Sequence, residues 1–238
     1  MSDLIERILP TPRIHLLGGN SNAGKTRFIL PMMRQWEAGK PIMGFPSHPV
    51  PWAYVVGDRL LVEAEATMKD MGISPKTVPM IPAFGPDNKN WHQVMREAAR
   101  LHLGLLVWEG FSDFNPGRDH RKDVREFLSN VSALCYANEF HEGGLAIIGI
   151  MESPKMRPME RYNDPRQRIS GVASWGYHSS TVMLIEAADP KDLSNTERKL
   201  YVSVKNGTSF ETDGRFDLRT GRLEFDPPQD PLGSVDAL

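Results

Sequence analysis

The chain has 238 residues, of which 40% are hydrophobic and 24% are charged. This length and balance predict one folded domain and exclude a disordered, collagen-like or coiled-coil chain. With 28 basic and 30 acidic residues the formal net charge is −2, so any contact with nucleic acid or anionic lipid has to be local.

Apolar segments alternate with segments of helical periodicity, which is typical of a sheet joined by crossover helices. Strands are predicted at residues 13–17, 52–56, 78–81, 105–108, 145–150 and 180–185. Helices are predicted at residues 25–39, 61–71, 92–103 and 122–140. We therefore expect an α/β fold with a mainly parallel central sheet and flanking helices.

The C-terminal part of the chain has a different pattern. Residues 199–204 and 210–225 alternate in polarity, which predicts antiparallel strands with turns at Asp213-Gly214 and Thr220-Gly221. The prediction is one domain over residues 1–225, followed by a flexible tail at 226–238.

The single cysteine and the distribution of apolar residues bear on location. Cys135 cannot form an intramolecular disulfide, so we expect a cytoplasmic protein, in a bacterial host if a phage or plasmid encodes it. No run of about 18 apolar residues occurs, so we expect no contact with a membrane.

The strongest motif lies between the first predicted strand and the first predicted helix. Gly19-Asn20-Ser21-Asn22-Ala23-Gly24-Lys25-Thr26 matches the pattern G-x-x-x-x-G-K-[ST]. In such a loop, backbone N–H groups and the helix N-terminus bind the β-phosphate of a nucleotide. Lys25 would reach the β- and γ-phosphates, and the Thr26 hydroxyl would bind Mg²⁺. We predict that residues 19–27, including Arg27, bind ATP with Mg²⁺.

Acidic residues follow two of the other predicted strands. Hydrolysis at a site of this kind needs carboxylates near the metal and near the attacking water. Glu109 ends a hydrophobic strand and is predicted to lie on the metal side, the alternative being a surface carboxylate. Asp58 is the candidate for polarising water, and a helix N-cap is its alternative role. Asp113 is a second candidate for either task.

This order of motifs resembles RecA-like P-loop ATPases and, among them, the RepA-type hexameric helicases of plasmids and phages. The resemblance rests on the phosphate loop, on Asp58 and on the strand, loop and helix within residues 105–140. It implies a homo-oligomer, a hexameric ring or a filament, in which Lys205 reaches the ATP of the neighbouring subunit as a catalytic cation. The alternative is a solvated lysine at a strand end. The chain departs from the family at Met151 and Glu152, where the family often has His, and it lacks the Arg that often accompanies the lysine.

A basic segment follows the strand predicted at 145–150. Residues 153–170 include five basic and two acidic side chains and three prolines, which predicts a long exposed loop of local charge +3. Loops in this position bind single-stranded DNA in RecA-like rings, so the resemblance implies phosphate contacts and base stacking on Tyr162. The basic residues are Lys155, Arg157, Arg161, Arg166 and Arg168. A solvated loop that serves solubility or subunit contacts is the alternative.

The resemblance implies an ATP-driven motor on single-stranded DNA, a phage or plasmid replication helicase that works with other replication or recombination proteins. A RecA-like phage recombinase or strand-annealing mediator is one alternative, and a helicase loader is another. All three would use the same phosphate site. The strands predicted after residue 180 disfavour a loader, because a loader of the AAA+ kind has a helical lid there.

Overall fold

A computed structural model describes residues 3–83, 90–115, 121–152, 174–187, 196–207 and 209–228. The strands are β1 (Asp3–Ile5), β2 (Leu9–Pro10), β3 (Ile14–Gly19), β4 (Trp52–Val56), β5 (Met80–Pro82), β6 (Leu105–Glu109), β7 (Ala146–Ile150), β8 (Thr181–Ala187), β9 (Glu197–Val204), β10 (Phe210–Asp217) and β11 (Arg222–Phe225). The helices are α1 (Lys25–Glu37), α2 (Leu61–Asp70), α3 (Trp91–Arg100), α4 (Arg121–Cys135) and α5 (Ser174–His178). Short 3₁₀ turns lie at Pro75–Thr77 and Phe111–Phe114.

Within the described ranges, nine strands form one sheet in the order β11-β10-β9-β8-β3-β7-β6-β4-β5. The strands from β8 to β5 in this order are parallel, whereas β8, β9, β10 and β11 pair with one another antiparallel. The predicted α/β fold with a mostly parallel central sheet is therefore confirmed. Because β3, β4, β6 and β7 are parallel, their carboxyl ends meet at one edge of the sheet.

The hydrophobic core has two layers, one on each face of the sheet. Successive strand residues point to opposite faces, so Val107 packs on one side with α1 and α2, while Trp108 packs on the other with α3, α4 and α5. Helices cover both faces of the parallel part, as expected for strands that are buried throughout. None of the described helices has both the length and the apolar composition needed to cross a bilayer.

The predicted turn at Asp213-Gly214 is wrong, because both residues lie inside β10. Gly214 pairs with Arg198 of β9 on one side and with Phe225 of β11 on the other. A Cβ on Gly214 would lie 2.3 Å from Cδ1 of Phe225, so the glycine makes room for that ring instead of forming a turn. The β10–β11 turn lies around Thr220-Gly221, as predicted. Cross-strand pairing has overridden a local turn preference.

Other differences concern the ends of the chain and one helix. The hairpin of β1 and β2 and the short helix α5 were not predicted, and α4 ends at Cys135 and not at residue 140. Of the predicted tail, the structure describes only residues 226–228, where Asp226 N donates to the Asp213 carbonyl at 2.9 Å.

His15 is a buried histidine of β3, and its burial predicts that the free energy of unfolding depends on pH. The Pro10 carbonyl accepts a hydrogen bond from Nε2 at 2.9 Å, and burial lowers the pKa of His15 from 6.5 to about 3. Below pH 6.5 the unfolded chain binds a proton that the folded chain does not bind until about pH 3. We expect the free energy of unfolding to fall by roughly 1 kcal/mol per pH unit across that window, and not above it.

Urea unfolding at pH 7, 5.5 and 4.5 measures this effect. His15→Gln is expected to be less stable at pH 7 but to lose less stability on acidification than the natural chain. His92→Gln, at an exposed position on α3, is the matched control and should retain the natural pH slope. Equal slopes for all three chains would contradict the assignment.

Candidate functional site

An open cleft of about 1290 Å³ lies where β3, β4, β6 and β7 end. Four segments that follow these strands form most of its wall, and the turn between β10 and β11 completes it. The lining residues are Ser21, Asn22, Gly24, Lys25, Thr26, Arg27, Asp58, Arg59, Thr67, Glu109, Gly110, Ser112, Asp113, Ile150, Met151, Glu152, Phe216, Asp217, Leu218 and Gly221.

The loop between β3 and α1 enters the helix through a glycine in the left-handed region. Gly24 has φ +96°, a left-handed conformation, and a Cβ there would lie 2.3 Å from Cζ of Phe216. Both constraints favour glycine at this position. The first turn of α1 has no acidic residue and no side-chain cap. The N-terminus of the helix is therefore suited to binding an anion.

The Lys25 side chain folds back over this loop. Its ammonium donates to the carbonyl oxygens of Gly19 at 2.9 Å and Asn20 at 3.0 Å. Burial lowers the pKa of Lys25, and the charges of Glu152, Asp58 and Glu109 act in the opposite direction. These contacts hold a cation at the mouth of the loop.

Glu109, at the end of β6, is the buried acid of the cleft. Its side chain is 2% exposed, and its Oε1 accepts a hydrogen bond from Thr26 Oγ1 at 2.9 Å. Its other oxygen, Oε2, has no hydrogen-bond partner among the described residues. Burial raises the pKa of Glu109, the nearby charge of Asp58 raises it further, and Arg59 lowers it. Oε1, the carboxylate oxygen next to the Thr26 hydroxyl, is therefore the one that could share a cation with that hydroxyl.

The guanidinium of Arg59 lies beside both Glu109 and Thr26. Its Nη2 contacts Glu109 Oε1 and lies 3.3 Å from Thr26 Oγ1. No role was assigned to Arg59 from the sequence, because its partners are far away along the chain.

Asp58 enters the cleft because of the glycine that precedes it. A Cβ on Gly57 would lie 2.2 Å from the carbonyl oxygen of Glu109, so only glycine lets the end of β4 pass so close to β6. The Asp58 side chain is 42% exposed and faces water. It does not cap α2, since the N-cap residue of that helix is Leu60, whose own N–H donates to Glu63 Oε2 at 3.0 Å.

Two further groups at the site were missed by sequence reasoning. Glu152 directly follows β7 and accepts a hydrogen bond from Ser21 Oγ at 2.6 Å. This bond joins the loop between β3 and α1 to the end of β7. Tyr54 lies beneath Glu109, and burial together with the Glu109 charge raises the pKa of Tyr54. The Tyr54 hydroxyl in turn interacts with the Glu109 carboxylate and lowers the pKa of Glu109.

The C-terminal hairpin of β10 and β11 forms the far wall. Phe216 packs on Gly24, and the Gly221 carbonyl accepts a hydrogen bond from Arg27 Nη1 at 2.9 Å. Leu218, at the turn, is 84% exposed and lines the cleft. These strands therefore add an apolar surface opposite the polar groups that follow β3, β4 and β6.

Most of the predicted site residues come together. Those that line the cleft are Ser21, Asn22, Gly24, Lys25, Thr26, Arg27, Asp58, Glu109 and Asp113. Gly19, Asn20 and Ala23 form the body of the loop without lining the cleft. The predicted DNA contacts, Lys155, Arg157, Arg161, Arg166 and Arg168, fall outside the described residues.

Lys205 lies away from the cleft of its own chain. It follows β9, whose last residue, Val204, pairs with the first residue of β8, Thr181. Its backbone N–H donates to the Ser180 carbonyl at 2.7 Å. Lys205 is therefore at the edge of the sheet opposite the phosphate loop, and its role toward a neighbouring subunit stays a prediction.

The donor set at Thr26 and Glu109 fits a magnesium ion. Mg²⁺ prefers oxygen ligands and is usually bound by one or two protein groups together with phosphate oxygens and water. The Thr26 hydroxyl and the buried Glu109 carboxylate, whose Oε1 faces that hydroxyl, supply those groups. Over the described part of the chain, no cluster of three or more His, Cys, Asp or Glu side chains could hold a metal by itself.

No protein-family model matches this chain, and no curated protein sequence matches it. The motif and the geometry of the cleft are therefore the features that indicate what this chain does.

Proposed function

We propose that this protein is a RecA-like P-loop ATPase that binds ATP with Mg²⁺ in the cleft and hydrolyses it. The proposal depends on one observation above all. A loop of the G-x-x-x-x-G-K-[ST] type and a buried acid 83 residues away converge so that Thr26 bonds directly to Glu109. If the glycine-rich segment were only a turn that binds no ligand, a buried carboxylate beside it would have no explanation.

The loop and Lys25 would bind the phosphates. The backbone N–H groups at the start of α1 would face the β-phosphate, and the Lys25 ammonium would exchange two neutral carbonyl partners for charged phosphate oxygens. The present bonds have a charged donor only, and phosphate oxygens would add the opposite charge on the acceptor. This exchange favours the bound nucleotide.

Thr26 and Glu109 would hold Mg²⁺, which when bound neutralises charge on the β- and γ-phosphate oxygens. Asp58 and Glu109 then divide the acidic roles by environment. Glu109 is buried beside Thr26, whereas Asp58 is half-exposed and reached by water. Asp58 is therefore the group placed to orient and polarise an attacking water molecule.

The nucleoside would lie against the C-terminal hairpin. Phe216 and Leu218 present the apolar surface on the hairpin side of the cleft. Nucleotide pockets combine apolar contacts for the base with a few placed polar groups. This wall therefore suits a base better than the acidic side at Asp58 and Glu109 does.

We propose that hydrolysis drives movement on single-stranded DNA, as in a replication helicase, with Lys205 acting on the neighbouring subunit of a homo-oligomer. The basic segment 153–170 and the resemblance to RepA-type helicases support this part. The hydrogen bond from Ser21 to Glu152 would couple the glycine-rich loop to the basic segment, because Glu152 directly precedes that segment. A change at the phosphate loop would therefore be passed to the basic segment.

The test is ATP hydrolysis with Mg²⁺, with and without an oligo-dT strand. We expect hydrolysis, and we expect DNA to stimulate it about tenfold, with stimulation falling steeply as salt rises. Replacing Arg157, Arg161 and Arg166 with Gln should remove the stimulation. The matched control replaces Arg96, Arg100 and Lys69, on the surface of α2 and α3, with Gln and should retain it.

The outcomes separate the candidate functions. Hydrolysis that DNA does not stimulate would contradict the motor and the recombinase and favour a loader. Electron micrographs with ATP and DNA distinguish closed six-fold rings, expected of a helicase, from open filaments, expected of a recombinase. No binding and no hydrolysis of ATP would contradict the ATPase itself.

A further inference from the structure

We propose that Arg59 is a built-in counter-cation that competes with the divalent cation for Glu109 and is displaced from it when the metal binds. The inference rests on the proposed nucleotide site and assigns a role to a residue that the phosphate-loop motif does not include. Arg59 is thus a positioning residue for metal and nucleotide.

The competition follows from the shared oxygens. Arg59 Nη2 contacts Glu109 Oε1 and lies 3.3 Å from Thr26 Oγ1, and these two oxygens are 2.9 Å apart. Mg²⁺ binds its oxygen ligands at about 2.0–2.1 Å. A guanidinium nitrogen in contact with the same oxygen would overlap with such an ion or with its water, and two cations there would repel. The metal and this position of Arg59 therefore exclude each other.

The remaining contacts of Arg59 are weak enough to allow movement. Its Nε lies 3.4 Å from Asp58 Oδ1 and its Nη1 lies 3.4 Å from Thr67 Oγ1, both at the long limit of hydrogen bonding. The side chain is 27% exposed and lines the cleft. Losing Glu109 would leave the guanidinium attached loosely at the Asp58 side, within a cleft that also contains Lys25.

The charges explain what such a residue would do. Asp58 and Glu109 both present negative charge to the place proposed for a triphosphate. Without a cation between them, these carboxylates would repel the nucleotide until Mg²⁺ arrived. Arg59 supplies one positive charge in advance, so the nucleotide binds before the metal and the metal then displaces the arginine. Arg59 should therefore weaken the dependence of nucleotide affinity on Mg²⁺.

The test compares Kd for a fluorescent non-hydrolysable ATP analogue in EDTA and in Mg²⁺. For Arg59→Gln we expect the Kd in EDTA to rise about tenfold and the ratio of the two Kd values to rise at least as much, because one charge-assisted contact is lost only where no metal replaces it. Arg59→Lys keeps the charge and should recover most of the affinity in EDTA.

Arg27→Gln is the matched control. It removes an arginine from the same cleft, but the hydrogen bond of that arginine goes to the Gly221 carbonyl. It should weaken binding of the analogue equally in EDTA and in Mg²⁺, so the ratio of the two Kd values should stay at that of the natural chain.

Mn²⁺ titration without nucleotide, followed by electron paramagnetic resonance, supplies a second measurement. If Arg59 competes for Glu109, Arg59→Gln should bind Mn²⁺ at least fivefold more tightly than the natural chain, and Arg59→Lys should change in the same direction by less. An unchanged Kd ratio together with unchanged Mn²⁺ affinity would overturn the proposal. If no chain binds the analogue, the proposed function fails, and the Mn²⁺ titration still decides the role of Arg59.

Discussion

Lys25→Ala is expected to weaken ATP binding about 10- to 100-fold and to remove measurable hydrolysis. The Lys25 ammonium lies over the loop, held by the carbonyls of Gly19 and Asn20, and it is the group proposed to bind the β- and γ-phosphates. Losing a hydrogen bond between charged groups costs about 1.5–3 kcal/mol, which corresponds to this range of affinity. Isothermal titration with a non-hydrolysable analogue measures binding, and phosphate release measures turnover.

Lys69→Ala is the matched control, because Lys69 lies on the surface of α2 and its ammonium is 3.9 Å from Glu65. It should retain natural binding and turnover. The thermal unfolding midpoint of both variants checks that the fold is intact. Full ATP hydrolysis by a folded Lys25→Ala variant would refute the proposed function.

Glu109→Gln is expected to slow ATP hydrolysis about 100- to 1000-fold, while binding of the nucleotide is retained. The amide has the shape of the carboxylate and can still accept the Thr26 hydrogen bond, but it brings no negative charge to the metal side of the cleft. Removing one electrostatic group from a preorganised site has effects of this size. Single-turnover hydrolysis and analogue binding, both in excess Mg²⁺, separate the two quantities.

Glu97→Gln is the control for this change, since Glu97 pairs with Arg100 on the surface of α3 and lies outside the cleft. Asp58→Asn should also slow hydrolysis. Its nucleotide binding should depend on Mg²⁺ more nearly as in the natural chain than that of Glu109→Gln does. A Glu109→Gln variant that turns over at the natural rate would place the metal-side acid elsewhere, with Asp113 as the next candidate.

The two halves of the sheet contribute differently to the cleft. The parallel strands bring polar side chains to one edge, because their carboxyl ends all point the same way. The antiparallel strands contribute a hairpin that packs on Gly24 through Phe216. The glycine-rich loop with its acidic neighbours and the apolar hairpin therefore come from separate parts of the chain.

Several parts of the site could be predicted because the determining interactions are local. The spacing of the residues from Gly19 to Thr26 defines a loop by its own backbone geometry, and β4 was predicted with its observed bounds, Trp52–Val56, as a short apolar run between turn residues. Asp58 and Glu109 were predicted near each other because each ends a parallel strand. A local signal also misled, at Asp213-Gly214, where pairing on both sides of β10 outweighed turn preference.

The sequence by itself determined the phosphate loop, the α/β alternation and the acids at the strand ends, since each depends on neighbouring residues or on the direction of a parallel strand. Only the tertiary structure decided which side chains share the cleft. Arg59 meets Glu109 across 50 positions, Ser21 meets Glu152 across 131, and Arg27 meets Gly221 across 194. Such contacts depend on strand order and on how closely Gly57 and Gly24 let other segments approach, and no periodicity along the chain encodes either.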